Sequence, residues 1–232
     1  MKIGLFTDSH FSSATVTCGN RYNSRSLKKI EDALKIFSEQ KCDLVISLGD
    51  LIDKENNREK EIQNLKKVSR VFSGYDLDIR VIMGNHDAFT FSENEFYSIL
   101  GLQHKPQNIY SDTVNLIFID ACWFKNGVHY NPGDSDWTDT FYPGTQELET
   151  ILSGIKGDSY IFMHQNIDPG IRIDHRLSND AEIREILENS HKVKTVFQGH
   201  YHPGFVSELN GINYITYPAM CENDNAVFIV DL

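Results

Sequence analysis

Five of this chain's nine histidines stand in short clusters with acidic or amide residues. The clusters are Asp8-Ser9-His10, Gly49-Asp50, Gly84-Asn85-His86-Asp87, a single His164, and Gly199-His200-Tyr201-His202. Their side chains are the donors that a pair of divalent cations requires. Asp50 carries two oxygens suited to bridging, Asn85 a neutral amide oxygen, and His164, His200 and His202 imidazole nitrogens. Mixed oxygen and nitrogen donors favour Mn²⁺, Fe or Zn²⁺ over Mg²⁺ or Ca²⁺. The chemistry that such a dinuclear centre supports is attack of a metal-bridging hydroxide on phosphorus. The alternative, hydrogen-bonded surface histidines and turn aspartates, accounts badly for so many suitable donors in one order.

The elements around the clusters say how donors so far apart in sequence can meet. Each cluster follows a short apolar run that reads as a β-strand: 2–6, 43–48, 79–83, 159–163 and 195–198. Strand ends on one edge of a sheet converge in space. Asp8 and His10, two apart, would project from one face of an extended chain. Glycines before Asp50, Asn85 and His200 suit sharp turns out of strands.

Between the strands, Leu27, Ile30, Leu34 and Phe37 recur at helical spacing, with Ser24 or Ser26 as a cap. Ile62, Leu65, Val68 and Phe72 mark a second helix, stopped at Gly74. Weaker helices are expected at 93–100, 145–155 and 179–189, and a further strand at 114–119. Alternating strand and helix signify a layered α/β domain. Beyond Gly199, runs at 204–208, 213–217 and 226–230 with an Asn210-Gly211 turn suggest a closing antiparallel meander.

The whole chain bounds the partners. No Pro/Gly/Ser-rich linker interrupts its 232 residues, so one domain spanning 1–232 is expected. A balance of 22 basic and 33 acidic residues, net −11, argues against general nucleic-acid binding. It leaves room for a small phosphorylated substrate, because bound cations reverse the local field. Cys18, Cys42, Cys122 and Cys221 form no CxxC pair and read as buried or free thiols. The first site motif begins too soon for a signal peptide, and no apolar run reaches the about 20 residues of a membrane span. A cytoplasmic protein without membrane attachment is the expectation. Nothing in the sequence marks an oligomeric state.

Taken together and in order, Asp-x-His, Gly-Asp, Gly-Asn-His-Asp, a lone His and Gly-His-x-His resemble the calcineurin-like metallophosphoesterases. The resemblance covers about residues 1–202 and implies a four-layer α/β/β/α sandwich of two mixed sheets flanked by helices. It implies Asp8, His10, Asp50 and His202 around one metal. Asp50 would bridge to a second metal held also by Asn85, His164 and His200. Mn²⁺ ranks ahead of Fe and Zn²⁺ as the cofactor. His86 would face the substrate, protonating the leaving oxygen or stabilising its charge. Asp87 would orient the His86 ring. One departure is noted: His164 lacks the proline that many relatives carry two residues later.

Two stretches bear on substrate choice. Asn20–Leu27, with Arg21, Tyr22 and Arg25, resembles a stretch in the manganese-dependent ADP-ribose/CDP-alcohol diphosphatases of this superfamily. There an arginine would fork onto a non-reacting phosphate and Tyr22 would stack on a base. Solvated charges ahead of a helix are the competing reading. The insertion 167–177 offers Arg172, His175 and Arg176 as substrate contacts or as a plain polar loop. The aromatic stretch 123–142 reads as packing over the core, with a flap or base-pocket wall as the alternative. Asp53 reads as a turn cap. His104, His129 and His191 have no suggestive spacing and read as ordinary surface residues.

The function expected is dinuclear-metal hydrolysis of small phosphodiesters or nucleotide diphosphates. The alternatives are a phosphomonoesterase or protein phosphatase, and a non-catalytic binding scaffold on the same fold.

Overall fold

The computed structural model of the protein describes residues 1–102 and 105–232. His104 lies outside the described residues. The first sheet contains β1 (Lys2–Phe6), β2 (Leu44–Ser47), β3 (Ile79–Val81) and β11 (Phe228–Asp231). Its order is β11-β1-β2-β3, with β1 to β3 parallel and β11 antiparallel to β1. The second sheet contains β4 (Val114–Ile119), β7 (Asp158–Met163), β8 (Val193–Gln198), β9 (Phe205–Leu209) and β10 (Ile212–Thr216). Its order is β4-β7-β8-β10-β9, parallel except for the β9–β10 pair. A small ribbon pairs β5 (Trp123–Phe124) with β6 (Thr140–Phe141).

Alternation along the strands sorts side chains into layers. Ile3, Leu5, Leu44, Ile46 and Leu48 face Leu116, Phe162 and Phe197 in the core between the sheets. On the outer face of the first sheet, Phe6, Val45 and Val81 pack under α1 (Ser26–Glu39), α2 (Arg58–Ser73) and α4 (Glu93–Leu100), through Ile30, Leu34, Phe37, Leu65, Val68 and Phe96. On the outer face of the second, Ile117, Ile119, Ile161, Met163 and Val196 meet α5 (Thr145–Gly154) and α6 (Asp180–Ser190) through Leu148, Leu152, Ile183 and Leu187. The result is the expected four-layer α/β/β/α sandwich.

Two local expectations are corrected and one element is added. Neither Ser24 nor Ser26 caps α1: a short 3₁₀ turn, Asn23–Arg25, leads into it, with Arg25 at the cap position. The segment after Gly199 is not one meander. The Asn210-Gly211 turn, with φ of 51° and 82°, does join β9 to β10, but β11 crosses to pair with β1 in the other sheet. A short helix, α3 (Asn85–Thr90), begins on the Gly84-Asn85-His86-Asp87 motif and was not foreseen. All four cysteines are free, and among the described residues no helix is long and apolar enough to cross a membrane.

Candidate metal centre

The parallel strands β1, β2, β7 and β8 deliver their clusters to one edge, where the two sheets meet. Asp8, His10, Asp50 and His200 take left-handed backbone with φ of 51°, 43°, 53° and 66°. Asp8 and His10 are therefore not on extended chain; two left-handed turns, held by hydrogen bonds from Asp8 N to Gly49 O (3.0 Å) and His10 N to Asp50 O (2.9 Å), turn both inward. Such conformations cost of order 1–3 kcal/mol each and persist only where surrounding structure fixes them. Glycine is required for close approach at two junctions. A Cβ on Gly84 would lie 2.1 Å from Asp50 Oδ1, and one on Gly199 would lie 2.2 Å from Thr7 Oγ1.

Each buried carboxylate splits its two oxygens. Asp8 Oδ2 accepts from Thr7 Oγ1 (2.6 Å) and the His200 amide (2.9 Å), while its Oδ1 is buried without a hydrogen-bond partner. Asp50 Oδ1 accepts from the His86 amide (2.9 Å), leaving Oδ2 3.5 Å from His10 Nε2 and 3.3 Å from His164 Nε2. Asp8 Oδ1 stands 3.6 Å from His10 Nε2 and 3.4 Å from His202 Nε2. His10 Nε2 and His202 Nε2 face each other at 3.1 Å, and His164 Nε2 faces Asn85 Oδ1 at 3.1 Å. The His164 ring is set by Nδ1 against the Leu48 carbonyl at 2.8 Å, so Nε2 is its donor atom. Asp50, His164 and His200 offer atoms mutually within 4.8 Å. Donor atoms thus converge in two groups that share Asp50 Oδ2. This donor set fits two divalent cations.

The electrostatics agree. Burial alone would raise the Asp8 carboxyl, but His10 and His202 outweigh it and hold it well below the usual range. Asp50 is lowered against burial chiefly by the charge of His164. Burial opposes protonation of His10 and His164, yet the carboxylates around them raise His10 to about 10 and His164 to about 9. Burial keeps His200 well below the ordinary histidine value, with the charge of His164 adding to it.

His86 is a quarter exposed at the rim, its ring edge-on to His10 at 4.5 Å between centroids. The carboxylate that holds it is not that of Asp87. His86 Nδ1 lies 2.8 Å from Asp53 Oδ1. Asp87 turns back into the protein, where its carboxylate accepts from the amides of Gly84 (3.1 Å), Leu51 (3.1 Å) and Ile52 (3.3 Å). Successive helical side chains diverge by about 100°, so the neighbour in sequence is not the neighbour in space. Asp53 caps its own turn through Lys54 N (3.1 Å), as the sequence suggested, but Asn23 Nδ2 (2.9 Å) and Thr17 Oγ1 (3.1 Å) also fix it beneath His86. Burial lowers the His86 pKa, against the pull of Asp50 and Asp53.

Sequence reading also passed over Glu222, which holds His202 Nδ1 and accepts from Asn20 Nδ2 at 2.7 Å. It lies after β10 with no motif around it. The proline absent after His164 is replaced by buried Asn166, which ties the loop to Gly199 O (3.0 Å) and to Thr216 Oγ1 (2.6 Å).

The substrate candidates separate. Arg21 reaches the rim, 3.9 Å from Asp53 and 4.0 Å from Glu222. Tyr22 and Arg25 pair with each other on the exposed surface, the guanidinium 4.8 Å above the ring. His175 packs 5.4 Å from the His200 ring and 4.9 Å from Trp137, which itself stands 5.6 Å from His200. Arg172 is 69% exposed and pairs with Asp174. Arg176 pairs with Asp180 at 2.8 Å. In the 123–142 stretch Tyr130 is buried and stacks on Phe89 at 4.7 Å, as packing over the core requires, while the Trp137 ring stands 5.6 Å from that of His200.

The sequence matches the calcineurin-like phosphoesterase family over residues 1–204. The chain belongs to that family of metal-dependent phosphoesterases, whose members work with a dinuclear divalent-metal centre, and its clustered side chains are candidate metal donors. Among solved structures it is similar to a dimetal phosphatase from Danio rerio, with a TM-score of 0.83 at 18% identity over 100% of this chain and 92% of that one. A protein of Thermus thermophilus follows with a TM-score of 0.62 at 11% identity, over 95% and 90% of the two chains. An archaeal phosphodiesterase matches with a TM-score of 0.50 at 14% identity, over 100% and 93%. No curated protein matches the sequence.

Proposed function

We propose that this phosphoesterase hydrolyses small phosphodiesters or nucleotide diphosphates, with residues 1–232 acting as one domain. The observation that carries the reading is the wall beside the metal donors. Trp137 and His175 stand 5.6 Å and 5.4 Å from the His200 ring, with Tyr201 5.2 Å from His175. An aromatic face beside His200 and the Arg21 guanidinium beside Asp53 and Glu222 suit a substrate that carries a planar group and a second phosphate.

Asp8, His10, Asp50 and His202 would hold one cation, and Asp50, Asn85, His164 and His200 the other. When bound, the pair lowers the pKa of a water and polarises the phosphoryl oxygens. Mn²⁺ is the first choice for a site of carboxylate, amide and imidazole donors. His86 stands at the rim with Nδ1 on Asp53, which leaves Nε2 as the free ring nitrogen; it passes a proton to the leaving oxygen only from the imidazolium. Burial lowers the ring's pKa, so that imidazolium is a stronger acid but a smaller share of the rings at neutral pH. Asp53 keeps the ring oriented and supports the imidazolium before transfer. We place the protein in the cytosol, on the four free cysteines and the acidic balance.

The test is hydrolysis by Mn²⁺-reconstituted protein of an aryl phosphomonoester, an aryl phosphodiester, ADP-ribose, CDP-choline and a cyclic nucleotide. Preference for the diphosphate-linked nucleotides is the expected result, and Arg21→Ala should then raise KM for those substrates more than for the aryl diester. Preference for the monoester would overturn the substrate reading and leave the reaction class intact.

A further inference from the structure

Cys42 and Cys122 lie in the apolar cluster beneath the helices of the first sheet, the ordinary place for a buried thiol. Cys221 is fully buried too, yet it belongs to none of the apolar clusters among the described residues. It sits in the connection between β10 and β11. There the backbone is pinned: its amide donates to Asp8 O at 3.1 Å, its carbonyl accepts from Tyr22 N at 3.0 Å, and Met220 N donates to Thr7 O at 3.0 Å. This pinning carries the sulfur to the metal donors. Donor atoms of His10, His202 and Cys221 all lie within 4.8 Å of one another.

Two further observations bear on that sulfur. Cys122 Sγ has Met83 O and Gln165 Nε2 as partners, both at 3.5 Å, whereas among the described residues no hydrogen bond reaches Cys221 Sγ. Beside the same two rings, Asp8 Oδ1 is buried and also without a partner, 3.6 Å from His10 Nε2 and 3.4 Å from His202 Nε2. Glu222, the residue after Cys221, takes Nδ1 of His202 and leaves Nε2 as that ring's donor. Sulfur, carboxylate oxygen and two imidazoles are thus gathered in one buried place with nothing in the chain to satisfy them.

We propose, resting on the dinuclear reading above, that Cys221 is a further ligand of the cation held by Asp8, His10, Asp50 and His202, and that its sulfur biases that position toward Zn²⁺. A thiolate is a soft donor that favours Zn²⁺. The position built from Asp50, Asn85, His164 and His200 keeps the oxygen and nitrogen donors that suit Mn²⁺. The two halves of the centre therefore differ in the metal they prefer. Burial pushes the free thiol up, so the S–H bond breaks as Zn²⁺ arrives: its proton passes to solvent and a sulfur lone pair forms the bond to the ion. No group changes oxidation state.

The test is zinc-edge X-ray absorption on the full chain loaded with Zn²⁺. Wild type should show a sulfur scatterer at about 2.3 Å, roughly one for every two ions. Cys221→Ser should lose that scatterer while still holding both ions. Co²⁺ loading gives a second readout, the near-ultraviolet thiolate-to-cobalt band. It should appear in wild type, persist in Cys18→Ser and vanish in Cys221→Ser. From an equimolar mixture of Zn²⁺ and Mn²⁺, Cys221→Ser should retain a smaller share of Zn²⁺ than wild type by elemental analysis. The two wild-type spectra decide the matter even where the serine variant fails to fold. Two ions bound to wild type, with no sulfur scatterer and no cobalt band, would overturn the proposal and leave the dinuclear centre standing. Wild type that holds no pair of ions would overturn the dinuclear reading, and the role of Cys221 with it.

Discussion

Asp50 and Asp8 each spend one oxygen on a backbone amide and leave the other for the site, so these side chains cannot rotate without breaking the turn that carries them. His86 is restrained in a different way, through Asp53, which is itself tied to Asn23 and Thr17. His86→Ala should lower kcat by roughly 10²–10⁴-fold, the usual contribution of a positioned proton donor, while leaving metal content unchanged. Asp53→Asn should lower kcat by about 10–100-fold with little change in KM. Because Asp53 acts through His86, the double variant should be no slower than His86→Ala. Additive losses in kcat measured on the aryl diester would separate the two residues and sink the dyad. Glu222→Gln acts on His202 instead. Its expected effect is a Mn²⁺ affinity about 10–100-fold weaker, read by calorimetry.

The elements explain why these residues converge and how much of that was legible. Where an apolar run is short and bounded by polar residues, as at Lys2–Phe6 and Val114–Ile119, the strand falls where the sequence places it. The Asn210-Gly211 turn is equally local and equally legible. The donor clusters could be ordered from sequence because each sits just past such a run. What could not be read needs neighbours from elsewhere in the chain. Helix α3 is too short to show a stripe. Asp87, adjacent to His86, looked like its partner until the helix turned it toward Gly84 and Leu51, while Asp53 arrived from another loop. Nothing in the apolar pattern of β11 says which sheet it joins. The β3–α3 junction also yields a sharp expectation. A Cβ at residue 84 meets both Asp50 Oδ1 at 2.1 Å and Asp50 N at 2.5 Å. Gly84→Ala should therefore cost about 1–3 kcal/mol of stability, the range for overpacking, and abolish tight Mn²⁺ binding by displacing the shared carboxylate. Calorimetry showing wild-type affinity in that variant would mean the junction yields elsewhere.

At the scale of the molecule, a chain of net charge −11 gathers Asp8, Asp50, Asp53 and Asp87 into one buried region. Burial and the nearby Asp50 charge push Asp87 up to about 7 even with backbone amides on it. Around Asp8, Asp50 and Asp53 the charges of neighbouring histidines offset that concentration, and bound cations would take their place. Saturating Mn²⁺ at about 100 times its dissociation constant should add about 2.7 kcal/mol per bound ion, or roughly 5–11 °C in Tm for each in a chain of this length. Removal by a chelator should reverse it in a thermal melt. Proton release provides the sharper measurement. Without cations the surrounding carboxylates hold His10 at about 10 and His164 at about 9, so both rings are protonated at pH 7.5. Both must give up a proton to become donors, since a ligating imidazole is neutral. The sign follows: Mn²⁺ competes with protons below those values, so its apparent affinity should strengthen as pH rises from 7 toward 10 and level off above. Roughly two protons per chain should be released on loading at pH 7.5, counted from binding heats in buffers of different ionisation enthalpy. Release of none would mean that the two rings are neutral before the metal arrives, and that lone-pair repulsion, not bound protons, is what the cations relieve.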